Sequence, residues 1–173
     1  TRDILRIVAM LHDVGKVGIS DIILKKPGRF TDEERAIMET HTIQGAKLFQ
    51  DNQSEFDDIA AEVALTHHEF WDGTGYPGHL DLSITDLDEL YAQNRDKPRK
   101  GEEIPLFGRI VAIADVFDAL LSRRVYKVAW TEDDVLEEIR KSAGTQFDPE
   151  LVDIFFDVLP QLMQIRKRYP EEH

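Results

Sequence analysis

Cysteine is absent from all 173 residues, which excludes a disulfide framework, a thiol nucleophile, a thiolate zinc site and an iron–sulfur cluster together. Any metal must therefore sit on His, Asp and Glu. Basic residues are outnumbered: 21 Lys and Arg stand against 34 Asp and Glu, a formal net charge of −13. That balance argues against duplex nucleic acid as a partner, because cationic side chains on phosphate dominate such binding. No apolar run is long enough to span a bilayer, and no basic n-region or signal-peptide core opens the chain, so the expected location is cytoplasmic. What remains, 42% hydrophobic and 32% charged residues, is the composition of a single globular domain able to bury a continuous core.

Thr1 is not an initiator Met, and helical spacing starts at once with Ile4, Ile7, Val8 and Leu11 on one face; the natural chain is expected to continue upstream. That helix, over residues 3 to 12, runs into His12-Asp13-Val14-Gly15-Lys16. Thr31 followed by Glu34 is a capping box, predicting one long helix to about Gln50 with His41 inside it. A third helix, carrying Ile59, Val63 and Leu65, runs to Thr66-His67-His68. Gly73-Thr74-Gly75-Tyr76-Pro77-Gly78 is too rich in Gly and Pro for regular structure and reads as an ordered loop beside the His pair. Residues 79–103 turn polar and read as a surface insertion or lid with little core. Pro105 to Leu121 is a strongly apolar helix with Asp115 as its odd residue. Thr131 and Asp134 cap another, ending near Gly144, and Asp148-Pro149 opens a last amphipathic helix that reads as core more than as a dimer face. No segment alternates as a strand does. The expected fold class is all-α, a helical bundle without internal repeats.

Four of the six histidines, His12, His41, His67 and His68, fall within or at the ends of apolar helices. A neutral imidazole is a common transition-metal ligand, and buried carboxylates are tolerated when a cation offsets their desolvation. Asp13 and Asp115 are the matching acids. Helical neighbours point about 100° apart, so His67 and His68 suit different ions of one cluster better than a shared ion. A carboxylate has two oxygens and can bridge two cations, and two metals about 3.5–4 Å apart activate water and hold the phosphoryl oxygens of an ester. The plainer alternatives stand beside this reading. A single His on an apolar helix is more often a hydrogen-bonded core residue, Asp115 could pair with Arg109, and Lys16 could be a solvated charge at a helix end.

Taken together, His12-Asp13 with Gly15-Lys16, His41, the run His67-His68-Glu69-Phe70-Trp71-Asp72-Gly73-Thr74-Gly75-Tyr76-Pro77, Asp115 and Arg124-Val125-Tyr126-Lys127 resemble the HD-GYP domain, a bacterial branch of the HD phosphohydrolase superfamily. The likeness runs from about Ile4 to Phe155. It implies an all-helical, HD-type bundle over residues 1–173. It implies a metal-dependent phosphodiesterase that opens cyclic di-GMP to pGpG, with GMP after a second cleavage, on two or three divalent ions, iron or manganese. It implies His12, Asp13, His41, His67, His68 and Asp115 as metal ligands, Asp13 bridging, with Asp13 and Lys16 as the catalytic pair and Lys16 facing the scissile phosphate. Gly75, Tyr76 and Pro77 would shape the substrate pocket. Arg124 and Lys127 would meet nucleotide phosphate, an arginine by its fork and a lysine as a point charge; read from the residues alone, both could be surface charge and the loop could be packed structure.

Three departures from the family pattern bear on this. The family draws a further Glu and His ligand from a helix before the His-Asp pair, and the eleven residues before His12 contain neither, so the domain is expected to lack its N-terminal helices here. Val125 stands where proline is common. The 79–103 stretch is longer than the usual connection. Domains of this type often follow a receiver or sensor domain, which is the expected upstream partner. Two competing readings are an HD phosphohydrolase for another nucleotide or cyclic dinucleotide, and a catalytically silent signalling module that recruits protein partners through the loop region.

Overall fold

Helices start where the sequence supplies an acceptor for their free N–H groups. In a computed structural model of the chain, which describes residues 2–50, 54–84, 86, 89–90, 97–122 and 130–168, the Thr31 hydroxyl accepts from Glu34 N–H while the Glu34 carboxylate accepts from Thr31 N–H. Ser54 and Thr131 accept from Asp57 and Asp134 in the same way. Each such cap stabilises a helix by about 1 kcal/mol. The helices whose bounds lie among the described residues are α1 (Arg2–Leu11), α2 (Asp21–Leu24), α3 (Asp32–Glu39), α4 (His41–Leu48), α5 (Glu55–Thr66), α6 (Leu106–Leu121), α7 (Glu132–Lys141) and α8 (Pro149–Arg168), with 3₁₀ turns at Val14–Gly18 and Gly101–Glu103. Among the described residues there is no strand, only an isolated bridge between Ala143 and Phe147, and no helix is long and apolar enough to cross a membrane. The all-α expectation holds.

The single helix expected from Thr31 to about Gln50 is instead two. Thr40 breaks it by turning back on the preceding carbonyls: its hydroxyl and its N–H both donate to Ile37 O, at 2.7 and 3.2 Å. Such back-bonding bends helices. The bend makes His41 the first residue of α4, almost fully buried.

Three apolar clusters hold the bundle. Val8 of α1 packs with Ala60 and Val63 of α5 and Val111 of α6. Ala112, Ile113, Val135, Ile139, Phe147, Val152 and Phe155 join α6, α7 and α8. The third cluster corrects the expectation that residues 79–103 carry little core: Leu90 is fully buried with Ile43, Ala46 and Leu65, and Leu80, Leu82 and Ile84 pack against them. Lys47 donates to Ile84 O and Gln50 to Leu82 O. The described part of this stretch thus lies along α4 and the end of α5. Helix α8 places Val152 and Phe155 in the core with Leu151 and Leu162 packed against them, while Ile154, Val158 and Ile165 remain exposed, so only part of its apolar face is core.

Close approach of the site-bearing elements depends on two glycines. A Cβ on Gly15 would lie 1.9 Å from His41 O and 2.4 Å from Gly45 N, and one on Gly108 would lie 2.1 Å from Thr66 Oγ1. With hydrogen at both positions, the turn after α1 rests on α4 and the start of α6 rests on the end of α5.

Candidate metal centre

The four histidines meet because each lies at a helix end that faces the same point. Helix α1 stops at Leu11, so His12 and Asp13 leave it together; α4 begins at His41; His67 caps α5 and His68 follows. Three rings are held by their Nδ1 atoms, which donate to main-chain carbonyls one turn back: His12 to Ala9 at 2.6 Å, His41 to Met38 at 2.7 Å, and His67 to Val63 and Ala64 at 3.0 Å. This second bond fixes the tautomer and turns the Nε2 lone pair inward, as in metal-ligating histidines.

The inward atoms crowd one another. His41 Nε2 and His67 Nε2 are 3.4 Å apart, and Asp13 Oδ1 lies 3.3 Å from the first and 3.7 Å from the second. His12 Nε2 is 3.5 Å from Asp13 Oδ2 and 3.6 Å from Asp115 Oδ1. Ligand atoms of Asp13, His41, His67 and His68 all lie within 4.8 Å of one another. His12 Nε2 and Asp13 Oδ1 are buried without a hydrogen-bond partner, and native interiors do not leave such atoms orphaned without reason. Facing lone pairs and a carboxylate oxygen at these separations repel unless a cation lies between them. The residues fit divalent metal: nitrogen and oxygen donors only, pre-oriented and desolvated. The two Asp13 oxygens face different groups, Oδ1 toward His41 and His67, Oδ2 toward His12 and the ammonium of Lys16.

The protonation states of the metal-free site follow from the same geometry. Burial works against a charge on His12, but the Asp115 and Asp13 carboxylates override it and raise its imidazole to about 10. Burial would also raise Asp13, yet His12, His41, His67 and Lys16 around it hold its carboxyl far below the usual range. Burial lowers His67, and burial with the adjacent His67 and His41 lowers His68 to about 2.

The loop from Gly73 to Gly78 is sewn to the segment carrying the His pair. Tyr76 N–H donates to His68 O at 3.1 Å, and the Tyr76 ring stacks on His68 with centroids 4.9 Å apart and planes 29° off parallel. Gly75 rests so closely on residues 68–70 that a Cβ would fall 2.2 Å from Phe70 N. Gly78 N–H donates to Glu69 Oε1 at 2.6 Å. Burial raises the Glu69 carboxyl to about 7, against the Gly78 N–H and Arg99, which favour its charge.

The structure therefore brings together His12, Asp13, Lys16, His41, His67, His68 and Asp115, and places Gly75, Tyr76 and Pro77 beside them. Because α5 ends before His67, the two adjacent histidines converge, with ring centroids 4.1 Å apart, where continued helix would have splayed them. Arg109, a possible partner of Asp115 on sequence grounds, pairs instead with Asp148 at the start of α8. Arg124 and Lys127 lie outside the described residues. Sequence reasoning gave no role to Glu69; an acid between a His pair and a Gly-rich loop was the available signal.

A helical bundle that focuses imidazoles and carboxylates from several helix ends on one desolvated point defines a protein built to hold metal. Comparison with known proteins gives the family. The HD domain model matches residues 1–120 and a second HD domain model matches residues 94–151. The chain belongs to the HD domain family. It is 43% identical over 168 residues to a cyclic di-GMP phosphodiesterase of Vibrio cholerae, covering 94% of this chain and 30% of that protein. It is 43% identical over 162 residues to the cyclic di-GMP phosphodiesterase response regulator RpfG of Xanthomonas campestris, covering 94% and 38%. It is 38% identical over 169 residues to 3'3'-cGAMP-specific phosphodiesterase 2 of V. cholerae, covering 98% and 29%. The chain thus spans 29% to 38% of the length of these relatives. The fold is also that of the V. cholerae cyclic GMP-AMP phosphodiesterase V-cGAP3, with a TM-score of 0.59 at 21% identity over 94% of this chain and 39% of that one.

Proposed function

We propose that this chain is the catalytic domain of a metal-dependent phosphodiesterase that opens cyclic di-GMP to pGpG, GMP being the product of any second cleavage. The observation that carries the reading is the set of orphaned, inward-facing Nε2 and Oδ1 atoms of His12 and Asp13 among the other imidazoles. In this reading His12, Asp13, His41, His67, His68 and Asp115 would hold two or three divalent ions, iron or manganese, with Asp13, whose two oxygens face different groups, as the ligand they would share. Such ions, when bound, supply Lewis acidity that brings water toward deprotonation at neutral pH and offsets phosphoryl charge.

The remaining work falls to the protein's own groups. Asp13 and the three anchored imidazoles keep their donor atoms in place without rearrangement. Lys16, held by Asp13, presents an ammonium to the phosphoryl oxygens as their charge grows. Gly75, Tyr76 and Pro77 wall the pocket beside His68, Tyr76 offering a ring to a base and a hydroxyl to a phosphate, and Arg124 and Lys127 contact the second phosphate. The relatives are longer than this chain and one is named a response regulator, which supports a receiver or sensor domain joined upstream to an HD-GYP domain over residues 1–173; work in the cytoplasm and protein partners reached through the loop region complete the proposal.

Relatives named for 3'3'-cGAMP favour one second reading, in which that dinucleotide is the substrate. The test is the purified full natural chain loaded with manganese or iron, its metal counted by elemental analysis and its products separated after incubation with each dinucleotide alone and in competition. Cyclic di-GMP should be linearised first, and Asp13→Ala should lose both metal and turnover. A metal-loaded protein inert toward cyclic di-GMP, or an Asp13→Ala variant that keeps metal and turnover, overturns the proposal.

A further inference from the structure

Residues 78 to 99 begin and end at one place. His79 N–H donates to Lys97 O at 2.8 Å, and Arg99 Nε–H donates to Gly78 O at 3.2 Å. The peptide groups of Gly78 are therefore gripped from both sides, the carbonyl by the Arg99 guanidinium and the N–H by Glu69 Oε1. Arg99 Nε and Glu69 Oε1 are themselves 3.9 Å apart, with the Glu69 side chain fully buried. Glu69 follows His68 directly, and Gly78 is two residues past Tyr76. The grip thus closes a small ring of chain, residues 69–78, that carries the Tyr76 phenol, and His68, on which that phenol stacks, directly precedes it. Beyond the stem, Leu80, Leu82, Ile84 and Leu90 are packed on α4 and α5, so the stem is anchored to the helices that carry His41 and His67.

We propose that Glu69 and Arg99 are positioning residues: their two-sided grip on Gly78 sets the Gly75–Gly78 turn so that Tyr76 lies on His68, and the described residues around it, His79 to Ile84, Leu90 and Lys97 to Arg99, act as a buttress for the substrate pocket. The Arg99 guanidinium on the Gly78 carbonyl is a charge-assisted bond, and a buried group left without its partner, as the Gly78 N–H would be without Glu69, costs the full desolvation penalty, so the turn is firm only while both halves of the grip are present. Arg99 acts through Gly78 and touches neither substrate nor metal. The substrate consequence rests on the phosphodiesterase reading; the geometric one does not.

The test uses Arg99→Ala, Glu69→Ala and Glu69→Gln in the full chain, with two readouts. In metal-free protein the imidazole C–H resonances of His68 report the ring current of Tyr76. They should move toward unstacked values in Arg99→Ala and Glu69→Ala, and stay near the parent in Glu69→Gln, whose amide oxygen still accepts from Gly78 N–H. In metal-loaded protein Arg99→Ala should raise KM for cyclic di-GMP about tenfold with kcat within about twofold, and Glu69→Gln should retain most of the parent affinity. If Glu69→Ala does not fold, Arg99→Ala decides alone, since its side chain lies at the rim of the same turn. Unmoved His68 resonances with an unchanged KM overturn the inference. A parent protein that cleaves no cyclic dinucleotide, while the His68 resonances move as expected, removes the phosphodiesterase reading and leaves the grip standing.

Discussion

Replacing Gly15 by alanine should separate the two halves of the metal centre. The new Cβ would lie 1.9 Å from His41 O, 2.4 Å from Gly45 N and 2.9 Å from Gly45 Cα, against 3.4 Å for ordinary contact. The turn bearing Asp13 and Lys16 must then move about 1.5 Å from α4, since all three obstructing atoms are backbone and no side chain can rotate aside. Overpacking of this kind costs roughly 1–3 kcal/mol, and a backbone clash belongs at the upper end. At about 2–4 °C per kcal/mol for a chain of this size, the melting temperature should fall by roughly 6–12 °C. Because metal sites tolerate only about 0.2 Å in ligand distance, metal affinity should fall by at least 10–100-fold, the order seen when ligand support is removed. Thermal unfolding in chelator and competitive metal titration measure the two effects separately. Gly18→Ala is the control: its Cβ would meet only the Gln44 carboxamide at the end of a flexible side chain, and the change should stay within about 0.5 kcal/mol. A Gly15→Ala protein that melts with the parent and titrates metal equally would refute the steric reasoning.

Two other outcomes follow from buried charge. His12 titrates near 10 in the folded metal-free protein against 6.5 unfolded, so the native state holds the extra proton between those values and stability falls as pH rises through them. His68 titrates near 2 when folded, so the unfolded state takes up the proton below 6.5 and stability also falls as pH drops, with Asp13 adding to the loss below its unfolded value of 3.8. Glu69, raised from 4.5 to about 7, loses stability as pH rises through that interval and offsets the His68 gain there, so the stability of metal-free protein in chemical unfolding should be highest between about pH 4.5 and 6.5, and a profile rising steadily from about pH 5 to 9 would contradict the assignments. Arg109→Met should cost about 3 kcal/mol by leaving Asp148 Oδ2 without its partner in a side chain 5% exposed, while Oδ1 keeps the Glu150 N–H. Adding Asp148→Asn should recover part of it in urea unfolding, whereas equal stability of parent and single variant would show the pair to be dispensable.

The helices and the ligand set were legible because local signals agreed. Thr31 with Glu34 and Thr131 with Asp134 mark starts that the backbone adopts, and apolar spacing at 3.6 residues separates core faces from solvent. The histidines stood out because imidazoles on apolar helices need a reason. The Thr40 break was missed because a threonine in a helical pattern carries no sequence sign of whether its hydroxyl turns back. The buttress was missed for another reason: Asp86, Asp88 and Lys97 dominate its composition, while the apolar alternation of Leu80, Leu82 and Ile84 finds its partners only in α4 and α5. Arg109 was offered Asp115 because they share a helix, but the start of α8 supplied a better-buried acid. The His67–His68 convergence depended on where α5 stops, and helix ends are the least certain part of any pattern.

The central claim is that His12, Asp13, His41, His67, His68 and Asp115 surround bound cations. Anomalous diffraction from crystals of the manganese- or iron-loaded protein measures it directly. The account predicts peaks at the cluster of Asp13, His41, His67 and His68 and between Asp13, His12 and Asp115, each within direct coordination distance of the nearest nitrogen and oxygen donors. Peaks confined to surface carboxylates, or none at the cluster at saturating metal, would contradict it.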